Sequence, residues 1–107
     1  GEEHECAVYL DRHPLVATWL RNLASRATSF SLPTATDRFY PDFVGMLTDG
    51  RAFAVESKGD VFWTNDDSKE KRAVGGLWAA ASNGNCVFVM PRGPDWQAID
   101  TAFRSTR

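Results

Sequence analysis

The chain has 107 residues, 43% hydrophobic and 24% charged, the balance of an ordinary soluble domain. That length supports one hydrophobic core, and four Trp with seven Phe exclude a disordered segment. A net charge of −2 excludes the global basic field that drives non-specific nucleic-acid binding, so affinity for such a partner must come from a local patch or a neighbouring domain.

Taken in order, Glu2 to Ser25 reads as helix, with Cys6, Ala7, Leu10, Val16, Trp19, Leu20 and Leu23 at three- and four-residue spacing. His13-Pro14 interrupts it and predicts a kink or two consecutive helices. Glu2, Glu3 and Glu5 suit the positive end of the helix dipole, and Arg21 and Arg26 the negative end. Thr28 to Pro33 alternates polar and apolar residues and predicts a short strand, followed by a polar loop to Arg38. Phe39–Leu47 and Arg51–Lys58 are two apolar strands joined at Thr48-Asp49-Gly50, a strong hairpin signal. The connection Gly59–Asn65 carries Phe62 and Trp63, expected to pack in the core or a domain interface rather than stack on a base.

Asp66 to Ser82 predicts a helix capped by Asp66, Asp67 or Ser68, with Val74, Leu77, Trp78 and Ala81 on its packed face. Gly75-Gly76 weakens its interior and implies that another backbone packs close there. After Asn83-Gly84-Asn85, the apolar run Cys86–Met90 predicts a strand buried on both faces. Pro94 to Phe103 predicts a last short helix with Trp96, Ile99 and Phe103 on one side. Trp19, Trp78 and Trp96 are assigned to the core, and His4 and His13 to the surface. The fold class is thus α/β: helix, three-strand meander, helix, strand, helix, with a mixed central sheet of about four strands flanked by helices. The hairpin is antiparallel, and the later helix carries the chain across to a parallel strand.

Cys6 and Cys86 fit neither a CxxC nor a zinc pattern and read as reduced, buried thiols of an intracellular protein, with a single disulfide left open. No apolar run approaches the ~20 residues of a membrane span, and the acidic start lacks the basic region of a signal peptide. A cytoplasmic location follows as the expectation. Residues 1–107 read as a single domain excised from a larger protein.

Three ionisable residues interrupt the apolar hairpin: Asp42, Glu56 and Lys58. Charges in a core-forming hairpin are expensive unless compensated. Counted from the turn, Asp42 and Glu56 fall on nearby rungs at the open end, and Glu56 and Lys58, two apart, project to the same face. Two carboxylates and the Ser57 carbonyl suit Mg2+, which takes few protein oxygens plus waters and substrate phosphate. A lysine beside the ion orients the attacking water and stabilises charge on phosphorus. The plainer alternative is a structural ion pair at a strand end.

Pro41-Asp42 followed by Glu56-Ser57-Lys58 resembles the PD-(D/E)xK motif of restriction-endonuclease-like nucleases. The run Phe-Tyr-Pro-Asp-Phe-Val, the Asp-Gly turn, Val-Glu-Ser-Lys-Gly and the helix start Asp-Asp-Ser-Lys-Glu-Lys-Arg resemble the C-terminal nuclease domain of type III restriction-enzyme-like helicase subunits. The resemblance implies a restriction-endonuclease-like core and a Mg2+-dependent endodeoxyribonuclease, with Mn2+ as a substitute. It implies that Asp42 and Glu56 are metal ligands, Lys58 is the catalytic lysine, and Glu3 adds a ligand from the first helix, although Glu3 also reads as a solvated helix start. Lys69, Lys71 and Arg72 are the candidate DNA contacts, with Lys71 at the start of the packed stripe. Implied partners are DNA, a helicase or translocase domain of the parent chain, and a methyltransferase or specificity subunit. Double-strand cleavage further implies a dimer or paired complex. Two other functions compete: a catalytically inactive DNA-binding or protein-docking relative, and a phosphodiesterase acting on RNA or branched DNA.

Overall fold

Pro14 ends the first helix, because proline lacks an N–H to donate and its ring crowds the preceding turn. In a computed structural model, which describes residues 1–106, helix α1 spans Glu2–Arg12 and strand β1 follows at Val16–Arg21. The expected helix therefore fails beyond Arg12. Val16 and Thr18 are β-branched, Trp19 is aromatic, and a run of this kind with a partner strand available favours sheet over helix. The strand expected over Thr28–Pro33 shrinks to β2, Leu32–Pro33, which pairs with β3, Arg38–Phe39, in a separate two-stranded ladder.

The hairpin forms as β4, Phe43–Leu47, and β5, Ala52–Val55. Its turn needs Gly50, whose φ of +91° is a conformation that side chains disfavour. A short 3-10 turn covers Asp60–Phe62, then come helix α2, Asp66–Ala81, strand β6, Cys86–Val89, and helix α3, Gln97–Arg104. The sheet order is β1-β4-β5-β6. β1 and β4 pair antiparallel, as do β4 and β5, while β5 and β6 run parallel. The described residues thus form an α/β fold with three helices and a mixed four-strand sheet, in which β1 replaces the Thr28–Pro33 segment as the first strand of the meander.

The pleat sorts the sheet residues between two faces. Phe43, Leu47, Phe53, Val55, Val87 and Val89 form one core with Cys6 and Leu10 of α1 and Ile99 and Phe103 of α3. His13, expected at the surface, is buried there: its Nε2 lies 2.9 Å from Asp100 Oδ1, and its ring meets Phe103 edge-on. Arg51, next to the hairpin turn, is also buried and donates to the Phe103 carbonyl at 2.8 Å, satisfying an orphan group at the end of α3.

Helix α2 covers the other face. Asn65, not the residues after it, caps the helix by accepting the Ser68 N–H at 2.8 Å. The packed stripe runs through Ser68 and Gly75, whereas Leu77 is 71% exposed and Ala81 is exposed, against expectation. The neighbour that requires Gly75 is a side chain rather than a backbone: a Cβ there would overlap the Phe88 ring. Among the described residues no helix is long and apolar enough to cross a membrane, and both cysteines are free.

Candidate active site

The open end of the hairpin brings Asp42 and Glu56 together through reciprocal bonds. The Asp42 N–H donates to Glu56 Oε1 at 3.1 Å, and the Ser57 N–H donates to Asp42 Oδ2 at 2.9 Å. Each carboxylate is thereby oriented by main-chain groups of the opposite strand, and the two carboxyls lie within hydrogen-bonding reach of each other. Phe43 pairs with Val55 one residue inward, so the register of β4 and β5 fixes this juxtaposition.

Asn22 holds the segment before Asp42. Its buried amide donates to the carbonyls of Phe30 at 2.8 Å and Pro41 at 2.9 Å and accepts the Phe30 N–H at 3.0 Å. Its own N–H donates to the Asp42 carbonyl at 2.8 Å.

Burial raises the Asp42 carboxyl to about 6 against the Ser57 hydrogen bond, and Glu3 raises it further by its charge and by a side-chain hydrogen bond. Burial, then the charge of Asp42, raises Glu56 to about 8, opposed by the ammonium groups of Lys71 and Lys58. The neighbouring Cys6 thiol, buried under the same charges, is pushed up to about 12 and is inert as a nucleophile.

Lys71, on the second turn of α2, lies 3.6 Å from Glu56 Oε2 and 3.2 Å from Asp67 Oδ2, with its ammonium 5.4 Å from the Phe39 ring centre. Burial works against its charge, but the two carboxylates outweigh that and raise its pKa. Lys58 sits close enough to favour the ionised form of Glu56, and its carbonyl accepts the Gly93 N–H at 2.8 Å. The three candidate DNA contacts separate: Lys71 turns into the carboxylates, Lys69 is exposed, and Arg72 lies over Trp63, its guanidinium 4.1 Å from the ring centre.

Glu3 reaches Asp42, but its carboxylate also pairs with Arg21 at 2.9 Å. Glu2 takes the place nearer the Lys58 end. Side chains at Gly59 or Gly93 would touch its carboxylate, whose Oε2 is buried without a hydrogen-bond partner among the described residues. Sequence reasoning missed Glu2, Asn22 and Arg92. Arg92 forms an isolated parallel bridge with Lys58 and an ion pair with Asp60.

Among the described residues, no group of three or more His, Cys, Asp or Glu side chains is placed to hold a metal ion. The donor set on offer is therefore the carboxylate pair Asp42 and Glu56. Two crowded carboxyls with raised proton affinity are chemistry that a hard divalent cation relieves, and Mg2+ accepts few protein ligands because it keeps several waters. The residues fit such an ion. No protein-family model, curated protein or solved structure matches the chain.

Proposed function

We propose that this domain is a Mg2+-dependent phosphodiesterase acting on DNA, built on a restriction-endonuclease-like core, and serves as the cleavage module of a type III restriction-like enzyme. The observation that carries the reading is the neighbouring pair Asp42 and Glu56, main-chain-oriented at the open end of a hairpin, with Lys58 two residues on. The element order, a helix, a three-strand meander, a helix and a parallel strand, supports the same core.

In this mechanism Asp42 and Glu56 would hold the cation, with the Ser57 carbonyl proposed as a further ligand. When bound, such an ion would supply Lewis acidity to the phosphodiester. Lys58 donates from its ammonium to the attacking water or to a non-bridging phosphate oxygen, fixing the line of attack. Lys71 opposes the rise in Glu56's proton affinity and so favours its ionised, ligating form. Asn22 keeps Asp42 in register without touching the substrate.

The test is nicking of supercoiled plasmid in Mg2+ by the wild type, Glu56→Ala and Lys58→Ala. Metal-dependent nicking lost in both variants is the expected result. Nicking that survives either substitution contradicts the mechanism. RNA cut in preference to DNA by the same residues would reassign the substrate and keep the chemistry.

A further inference from the structure

We infer that the turn after Lys58 is a base-stacking wedge, with Phe62 contacting an unpaired or unstacked base of the nucleic-acid strand whose backbone crosses the Asp42–Glu56 site. The inference rests on the proposed hydrolytic reading and adds the class of substrate: single-stranded or locally opened DNA in preference to intact duplex.

Val61 is 86% exposed and Phe62 57% exposed, side by side on a 3-10 turn that begins two residues after Lys58. Scattered apolar side chains at a surface need no explanation, but this pair stands on a braced support. The wholly buried Ser68 donates its hydroxyl to the Phe62 carbonyl at 2.8 Å. The Asn65 N–H donates to that same carbonyl at 3.2 Å. The Phe62 N–H donates back to Gly59 at 3.0 Å. Trp63 beneath is held by Arg72, which donates to its carbonyl at 2.7 Å and stacks on its ring. Arg92 approaches the same ring at 5.8 Å and pairs with Asp60. These bonds fix the backbone of the turn, so a partner that binds there meets little further cost of ordering the main chain.

The surroundings select the partner. Arg72 and Arg92 both reach the Trp63 ring next to the tip, two guanidinium groups of the kind a phosphate backbone uses, within a chain whose net charge is −2. Arg92 pairs with Asp60, and Arg72 is held on Trp63. An aromatic beside guanidinium groups is the combination that binds unpaired bases: the ring stacks, and the cations follow the backbone. An intact duplex would first have to be unstacked to admit Phe62, which weakens its binding relative to a single strand.

The test uses a short fluorescein-labelled single strand and the corresponding blunt duplex, titrated in Ca2+ and read by anisotropy, with 2-aminopurine in the strand as a stacking reporter. The wild type is expected to prefer the single strand and to quench 2-aminopurine. Phe62→Ala is expected to weaken single-strand binding roughly tenfold, in line with the loss of one base–aromatic stack, and to abolish quenching. Phe62→Trp is expected to restore both. Circular dichroism and melting of Phe62→Ala should match the wild type, since the side chain is largely exposed. Unchanged binding in Phe62→Ala, equal affinity for both probes, or no binding of either by the wild type overturns the inference. Plasmid nicking that depends on Glu56 and Lys58 keeps the hydrolytic reading in place whichever result is found here, so the two failures are separable.

Discussion

Replacing Glu56 with Gln removes a charge that the fold holds at a cost. Burial and the charge of Asp42 raise this carboxyl from 4.5 to about 8, even with Lys71 and Lys58 pulling the other way. A carboxyl that binds its proton more tightly in the folded state makes stability fall as pH rises from about 4.5 toward 8. At about 1.36 kcal/mol per tenfold change in proton affinity, the full rise corresponds to on the order of 5 kcal/mol above pH 8. Gln keeps the acceptor for the Asp42 N–H but leaves Lys71 with Asp67 alone, which offsets part of the gain. A net stabilisation of about 2 kcal/mol at alkaline pH is expected, a melting temperature higher by roughly 10 °C in a domain of this size. Melts followed by circular dichroism in EDTA should show that gap near pH 8.5 and its collapse near pH 5, where the wild-type carboxyl is protonated. Added Mg2+ should raise the melting temperature of the wild type and leave Glu56→Gln unmoved. A variant less stable than wild type at alkaline pH, or a gap that does not shrink on acidification, would refute the electrostatic reasoning.

Further outcomes follow from neighbouring contacts. Asn22→Ala strips three hydrogen bonds from the main chain of Phe30 and Pro41, the one to Pro41 buried, and should cost about 2–3 kcal/mol in urea unfolding, while also weakening metal affinity by loosening Asp42. Gly75→Ala should destabilise by about 1–3 kcal/mol because the new methyl overlaps Phe88. By contrast, Gly76→Ala, which meets nothing within 4 Å, should gain up to about 1 kcal/mol of helix propensity in the same assay. Divalent binding must displace the proton raised onto Glu56, so affinity should increase with pH toward about 8 and proton release should be measurable in weakly buffered solution. Lys71→Met lets Glu56 hold that proton to higher pH and should shift this affinity profile upward, whereas Lys69→Met, at an exposed position, should not.

Where local chemistry decides conformation, the sequence could be read directly. The Asp49-Gly50 turn, the apolar Cys86–Val89 run and the amphipathic α3 each carry their signal within a few residues, and the parallel pairing of β5 with β6 follows from the helix between them. Val16–Arg21 was illegible for a physical reason. As an edge strand it is half open on both faces, so its apolar residues do not alternate cleanly, and Val16, Trp19, Leu20 and Leu23 satisfy a helical period equally well. Leu77 misled in the same way, since α2 buries the side carrying Ser68 and Gly75 rather than its largest apolar residues. Asp42 and Glu56 were visible because charges inside an apolar hairpin demand a partner. Asn22 and Glu2 were not, because what they touch lies far along the chain: Pro41 for one, the Gly59 and Gly93 loops for the other.

The central claim, that Asp42 and Glu56 jointly hold a divalent cation, is tested most directly by titrating the protein with Mn2+ and counting bound ions by electron paramagnetic resonance. One Mn2+ per chain in the wild type, displaced by excess Mg2+ and lost in both Asp42→Asn and Glu56→Gln, is the expected result. Binding that persists undiminished in either variant, or none in a folded wild type at alkaline pH, would contradict it.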